Sequence, residues 1–200
     1  MAIRVDMTMS LDGYVAGPDD GPDDPMGEGG FRLFNWLDHR NEPGPSGEVT
    51  AESTATLAVI SGRRTYELAG HWGGDHHDGV PIIVLTHEVP DGSPPGSVEF
   101  ATDVHDCAAR ARAAAGDGDV MVHGAGATQA LLAAGELDEL ELHVVPVLLG
   151  QGRRLFDHLP PEHVALELVR CLTTPDIESL EHRVTHLRYR LRPAAGGTAG

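Results

Sequence analysis

The chain has 200 residues, enough for one sizeable domain and short for two. Its formal charge of −17 argues against a general nucleic-acid binder and against docking on an anionic membrane, because both partners would repel it. All 14 basic residues other than histidine are arginine, which excludes a lysine phosphate loop, a lysine Schiff base and a lysine general base.

No apolar run approaches the length needed to span a bilayer, and the N-terminus lacks a basic segment followed by a hydrophobic one. We therefore expect a cytoplasmic protein. The two cysteines, Cys107 and Cys171, lie far apart and form no Cys-x-x-Cys pair, so both are expected to be reduced and structural.

Residues 3–9 alternate apolar and polar side chains, which predicts a first strand. The segment Ser10-Leu11-Asp12-Gly13-Tyr14-Val15-Ala16 follows, and its glycine permits a bend. Residues 17–30 are rich in Gly, Pro and Asp and predict a long surface loop, either a lid or a simple insertion.

Between residues 31 and 40, Phe31, Phe34 and Leu37 recur at helical spacing. A helix is predicted there, with Phe34 and Leu37 in the core. Trp36 lies on another side, where it either packs in the core or lines a pocket for a flat ring.

A break at residues 41–47 precedes a predicted helix at 48–55 and a strand at 57–60. The strand ends abruptly at Ser61-Gly62, and Arg63-Arg64-Thr65 opens a helix that runs to Ala69. A helix start and two guanidinium groups suit a phosphate, although a surface turn whose arginines balance nearby carboxylates has the same pattern.

The segment 70–78 contains three histidines and two aspartates, a composition that suggests a metal site. Its spacing matches no zinc pattern, so a solvated loop is the favoured interpretation and no metal is predicted.

Two further strand–loop–helix units follow. Strand 81–86 ends in Thr86 and His87, and a short strand at 98–100 leads to an alanine-rich helix at 103–115. Strand 119–123 leads into Gly124-Ala125-Gly126-Ala127 and a helix through Ala134. Repeated units of this kind predict a parallel sheet covered on both faces, with ligands at the carboxyl ends of its strands.

A strand at 140–149 contains Pro146, which implies a bulge or an edge position. Segments 164–172 and 184–191 predict a final antiparallel pair at a sheet edge. Residues 193–200 have the composition of a disordered tail, so a single domain over residues 1–192 is expected.

Four motifs, in this order, carry a resemblance to a known family: Ser10-Leu11-Asp12-Gly13, Gly62-Arg63-Arg64-Thr65-Tyr66-Glu67, Gly124-Ala125-Gly126 and Leu148-Leu149-Gly150-Gln151-Gly152. The chain resembles the dihydrofolate reductase-like family, in the branch formed by the reductase domain of the bifunctional riboflavin-biosynthesis deaminase–reductase. The resemblance implies a three-layer α/β/α fold with a mostly parallel central sheet and an antiparallel C-terminal strand pair, NADPH as cofactor, and often a homodimer. The zinc deaminase elements of the bifunctional protein are absent from this sequence.

The resemblance also implies residue roles, grouped by the part of NADPH that they would meet. The 2′-phosphate would face Arg63 and Arg64, the diphosphate Thr65, Gly124, Ala125, Gly126 and Ala127, the adenosine Thr86 and His87, and the nicotinamide Leu11, Gly13, Tyr14 and Val15. Gly62 would also belong to the cofactor site. Trp36 is the candidate for the substrate pocket. The proton donor is expected to be Asp12, Asp38 or bound water, although each carboxylate could equally be a capping or solvated group.

The sequence thus predicts an NADPH-dependent reductase that transfers a hydride to a small heterocyclic or carbonyl substrate, pyrimidine- or pterin-like. It would be related to 5-amino-6-(5-phosphoribosylamino)uracil reductase and to dihydrofolate reductase. Its expected partners are that small molecule and a second copy of the chain. The alternatives are a non-catalytic NADP(H)-binding module and, with less support, a metal-dependent hydrolase using His71, His76 and His77.

Overall fold

The computed structural model describes residues 1–192 except 93, 158 and 160–162. The tail predicted at 193–200 lies outside the described residues. None of the helices in the described part combines the length and the apolar character needed to cross a membrane.

Ten strands and four α-helices make up the described chain, with short 3₁₀ helices between them. The strands are β1 (Ile3–Ser10), β2 (Tyr14–Ala16), β3 (Ala58–Gly62), β4 (Ile82–Leu85), β5 (Val98–Ala101), β6 (Val120–His123), β7 (Glu139–Val145), β8 (Arg153–Arg154), β9 (Leu166–Thr173) and β10 (Thr185–Leu191). The helices are α1 (Pro45–Thr54), α2 (Arg63–Leu68), α3 (Val104–Ala115) and α4 (Ala125–Ala133), and the 3₁₀ helices are Gly30–His39, Gly70–Gly74 and Leu180–His182.

Eight strands form one sheet in the order β5-β4-β3-β6-β1-β7-β10-β9. The first six of these run parallel, and β10 and β9 add an antiparallel pair at one edge. The short strands β2 and β8 pair separately. The predicted mostly parallel sheet with an antiparallel C-terminal pair is therefore confirmed.

The two faces of the sheet differ in polarity because successive side chains of a strand point to opposite sides. On one face, α3 and α4 pack with Ile3, Val5, Ile60 and Val122 in the main apolar core. On the other face, α2 covers a smaller apolar cluster, and α1 with the 3₁₀ helix Gly30–His39 covers a third. These layers correspond to the predicted α/β/α arrangement.

The helix starts follow ordinary chemistry. The Asp103 carboxylate accepts a hydrogen bond from the backbone N–H of Asp106 at 2.9 Å and caps α3. Helix α1 begins at Pro45 rather than at residue 48, because proline is tolerated in the first helical turn, where its missing N–H costs nothing.

The structure corrects the interpretation of residues 31–40. The segment is a 3₁₀ helix, and its buried side chains are Leu33 and Trp36, three residues apart. Phe34, predicted to lie in the core, is exposed instead, and Leu37 is half-buried.

Two other expectations change. Strand β7 ends at Val145, between β1 and β10 in the sheet, so Pro146 follows a central strand and marks neither a bulge nor an edge. Cys107 is buried in the core, in keeping with the structural role expected of it, whereas Cys171 is exposed on β9.

Candidate functional site

The carboxyl ends of β3, β4 and β6 open into one cavity of about 1170 Å³. Ligand cavities in proteins are typically about 300–1,000 Å³, so this one has room for more than a single small molecule. The residues predicted at the three strand ends all line it: Gly62, Arg63, Arg64, Thr65, Thr86, His87, Gly124, Ala125, Gly126 and Ala127. The sequence therefore predicted correctly that these corners meet, and their roles stay predictions.

The two arginines of the first corner point in different directions. The Arg63 guanidinium pairs with Glu67 at 2.8 Å and donates to the carbonyl oxygen of Glu88 at 3.0 Å, beyond the end of β4. The Arg64 guanidinium instead bonds the Asp20 carboxylate at 3.0 Å. The two side chains thus present their charges to different parts of the cavity.

Asp20 brings the 17–30 loop onto the cavity. Its carboxylate accepts hydrogen bonds from Arg64 and, at 3.1 Å on each oxygen, from Arg153. The pKa of Asp20 lies below its usual range because these two arginines outweigh the effect of its partial burial. Asp20 thus pairs with two of the arginines that line the cavity.

Helix α4 begins where the backbone of the third corner approaches the first. Gly124 has φ of +96°, and a Cβ there would lie 2.3 Å from Oγ1 of Thr65. Only glycine fits this position without displacing its neighbour. The first N–H groups of α4 have no partners within the helix, as at every helix start, and Ala125, Gly126 and Ala127 line the cavity.

Of the residues predicted over the nicotinamide, only Val15 lines the cavity. Leu11 is largely exposed, and Gly13 takes the turn between β1 and β2 with φ of +86°. The Tyr14 ring lies 4.5 Å beneath the Arg154 guanidinium, in the small β2–β8 sheet. The structure does not bring these three residues to the cavity.

Neither predicted carboxylate lines the cavity. The Asp12 oxygens accept hydrogen bonds from Ser10 Oγ and from the backbone N–H groups of Leu149 and Gly150, at 2.5, 3.1 and 2.7 Å. Asp12 therefore joins two turns, and these bonds hold its pKa below the usual range. Asp38 is exposed and lies 3.6 Å from His182.

Trp36, predicted for the substrate pocket, does line the cavity. Its indole N–H donates to Thr8 Oγ1 at 3.2 Å, and its ring contacts those of His143 and His186, with centroids 4.6 and 5.0 Å away. The hydrogen bond and the ring contacts together hold the indole in place, so Trp36 lines the cavity as a fixed, flat surface.

Asp6, which the sequence did not single out, is a carboxylate that lines the cavity beside Trp36. It is buried on the polar face of β1, where His143 Nε2 approaches Oδ1 at 3.2 Å and the Ser53 hydroxyl donates to Oδ2. Burial works to raise the pKa of Asp6, but His143, with smaller contributions from His123 and Ser53, outweighs it and holds the pKa well below its usual range.

Segment 70–78 is not simply solvated. Trp72 and His76 line the cavity, and the His76 ring stacks on that of His123 with centroids 4.9 Å apart. Burial, together with His123 and His77, lowers the pKa of His76 to about 3. Across the described residues, no group of three or more His, Cys, Asp or Glu side chains has a metal-binding arrangement.

Comparisons with known proteins identify one family model and two solved structures of similar fold. The family model described as the RibD C-terminal domain matches residues 1–176. A structure of a protein assigned to riboflavin biosynthesis from Shewanella sp. PV-4 is similar, with a TM-score of 0.67 and 23% identity over 96% of this chain and 100% of that one. Dihydrofolate reductase from Enterococcus faecalis, solved with NADP(H) and RAB-propyl, gives a TM-score of 0.61 and 15% identity over 96% and 97% of the two chains. Curated protein sequences give no significant match. At these identities the two structures establish the fold, and the predicted dihydrofolate reductase-like fold is confirmed.

Proposed function

The chain belongs to the RibD C-terminal domain family, and on that premise we propose that it is an NADPH-dependent reductase acting on a small heterocyclic or carbonyl compound. A pyrimidine- or pterin-like ring is the substrate class that we favour. One observation carries the proposal: a single cavity has two chemically different ends. Arginines and glycines line one end, and Trp36 and the buried carboxylate of Asp6 line the other.

The first end suits a phosphorylated cofactor. Gly124 packs against Thr65 where a side chain would not fit, which brings the start of α4 beside the first corner. The start of α4 offers backbone N–H groups to a diphosphate. Arg63, at the far side of the corner, would meet the 2′-phosphate that distinguishes NADPH from NADH. Such a local cationic site is needed because the protein as a whole has a formal charge of −17.

The second end suits a flat, polar ring. The indole of Trp36 and the exposed ring of Phe34 offer apolar surface, while Thr8, Ser53 and Asp6 offer hydrogen-bonding oxygens. NADPH, when bound, supplies the hydride. The protein would orient the substrate carbon against it, exclude water and provide the proton.

Stopped-flow mixing of the NADPH-loaded protein with a panel of pterins, pyrimidines and quinones tests the proposal. We expect at least one compound of the first two classes to oxidise bound NADPH in a single exponential phase. NADPH binding without oxidation by any member would favour the second candidate, a non-catalytic NADP(H)-binding module. If the protein does not bind NADPH, both the reductase and the binding-module proposals are refuted.

Homodimer formation stays a prediction, as does a single domain over residues 1–192. Strand β9 forms one edge of the sheet and exposes Leu166, Leu168 and Val169, which is compatible with a second copy at that edge. Light scattering coupled to size-exclusion chromatography would measure the mass directly, and a mass near 21.2 kDa would refute the dimer.

A further inference from the structure

The floor of the cavity holds a row of buried ionisable side chains on three adjacent strands. Asp6 lies on β1, His143 on β7 and His186 on β10, all on the polar face of the sheet. His143 Nε2 is 3.2 Å from Asp6 Oδ1, and the Nδ1 atoms of His143 and His186 are 2.8 Å apart. Asp6 and His143 line the cavity. Burying such groups costs free energy unless every polar atom is paired.

The donor and acceptor positions of the row are compatible with a His143 ring that carries hydrogen on both nitrogens. Asp6 accepts on Oδ2 from the Ser53 hydroxyl, and His186 Nε2 is 3.4 Å from Ser46 Oγ. If His143 carries hydrogen on both ring nitrogens, it donates to Asp6 on one side and to His186 on the other. His186 is then neutral and can donate to Ser46. Every contact in the row thereby pairs one donor with one acceptor.

The charges around the row support the same arrangement. Burial, with His143 and Arg170 adding to it, lowers the pKa of His186 to about 3, so this ring is neutral near pH 7. Burial also lowers the pKa of His123, against the opposing effect of Asp6. The other ionisable groups that face the row are His76 and His77, from the segment after α2, and Arg170 of β9, which is paired with Glu52 and Glu141. His143 is thus the ring whose nitrogen contacts the Asp6 carboxylate directly.

We propose that Asp6 and His143 supply the proton that accompanies hydride transfer, with His186 as the positioning residue. The inference rests on the proposed reductase function. As the C=N or C=O carbon of the substrate gains the hydride, the π electron pair moves to the nitrogen or oxygen, which then needs one proton. The Nε2–H bond of His143 breaks, the proton crosses to Asp6, and the carboxyl group releases it to that heteroatom.

The step balances: the substrate gains a hydride, which bound NADPH would supply, and one proton, and His143 becomes neutral. Solvent restores the His143 proton after the product leaves the cavity. Asp6 transmits the proton rather than keeping it, because a carboxyl group with a depressed pKa holds its proton weakly. His186 fixes the ring by accepting from Nδ1, so that Nε2–H keeps facing Asp6.

Ring-nitrogen NMR of ¹⁵N-histidine-labelled protein near pH 7 tests the proton store without any substrate. We expect His143 to show two protonated ring nitrogens in the wild type and a neutral ring in Asp6→Asn, with His143→Gln providing the assignment. A neutral His143 in the wild type would overturn the proposal. So would a ring that stays doubly protonated in Asp6→Asn.

Single-turnover hydride transfer to 7,8-dihydrofolate, or to whichever compound of the panel oxidises NADPH fastest, tests delivery. Asp6→Asn and His143→Gln should slow the step at least about 100-fold, the lower range for general acid catalysis, while the Kd for NADPH changes less than about twofold. His105→Gln removes an exposed imidazole paired with Glu136 and serves as the matched control.

The kinetic outcomes separate the two proposals. Equal rates in Asp6→Asn and His105→Gln would overturn the proton-supply role and leave the reductase intact. No oxidation of NADPH by any compound in the wild type would refute the reductase proposal and, with it, the delivery step. The NMR result would then still decide whether Asp6 and His143 share a proton.

Discussion

Replacing Arg63 by alanine should weaken NADPH binding much more than NADH binding. A hydrogen bond to a charged group typically contributes about 1.5–3 kcal/mol, which corresponds to about 10- to 150-fold in Kd. The Arg63 side chain is 38% exposed and already paired with Glu67, so a phosphate would replace existing partners rather than an unpaired state. We therefore expect the lower end, about tenfold for NADPH, and less than twofold for NADH.

Arg64→Ala is the matched control, because its guanidinium faces Asp20 and Arg153 rather than the end of β4. It should change the Kd of both cofactors by a similar factor. Quenching of the tryptophan fluorescence, titrated with NADPH and with NADH for each variant, gives the four constants. An equal loss for both cofactors in Arg63→Ala would show that the 2′-phosphate does not bind at this corner.

Three further predictions concern affinity and stability. Asp20→Asn should tighten NADPH binding severalfold in the same titration, because it releases two arginines from the carboxylate. Asp19→Asn is the control: the residue is exposed, the net charge changes equally, and NADPH binding should change little. Gly124→Ala should lower the free energy of unfolding in urea by about 1–3 kcal/mol, because alanine is strained at this positive φ and its Cβ would meet Thr65. An unchanged urea midpoint of unfolding would contradict the packing described. The free energy of unfolding in urea should also fall as the pH is lowered from about 6.5 toward 3. The slope should reach about 1.4 kcal/mol per pH unit for each histidine that burial keeps neutral, His76 and His186. The reason is that these histidines bind protons in the unfolded state but not in the folded state. A flat profile between pH about 6.5 and 5.5, above most of the range where the carboxylates titrate, would refute this prediction.

Local patterns in the sequence were enough to predict the strand-end corners. Apolar runs followed by Ser61-Gly62, Thr86 and Gly124 indicate strands that stop at turns, and right-handed parallel connections bring such ends to one edge of the sheet. The same local information misplaced Asp12 and Asp38. The partners of Asp12 are the N–H groups of Leu149 and Gly150, more than one hundred residues away in the chain, and no local pattern announces them.

Asp6 was missed for a different physical reason. In β1, polar residues alternate with apolar ones, and the polar side of such a strand is ordinarily solvated. Here β1 lies in the interior of the eight-stranded sheet, and α1 and the 3₁₀ helix Gly30–His39 cover its polar face. Burial of Asp6 is therefore a consequence of the strand order, which the sequence does not state.

The same polar face of the sheet carries two groups of buried ionisable side chains, and they differ in whether they line the cavity. Glu141, next to the row on β7, is fully buried and pairs with Arg170 and Arg188, and none of these three side chains lines the cavity. A closed ion cluster of this kind can serve packing and register alone. Asp6 and His143 are also buried, yet they line the cavity onto which the strand ends open. A carboxylate–imidazole pair kept at a ligand cavity, where an apolar pair would pack at lower cost, is best explained by a proton that must be moved.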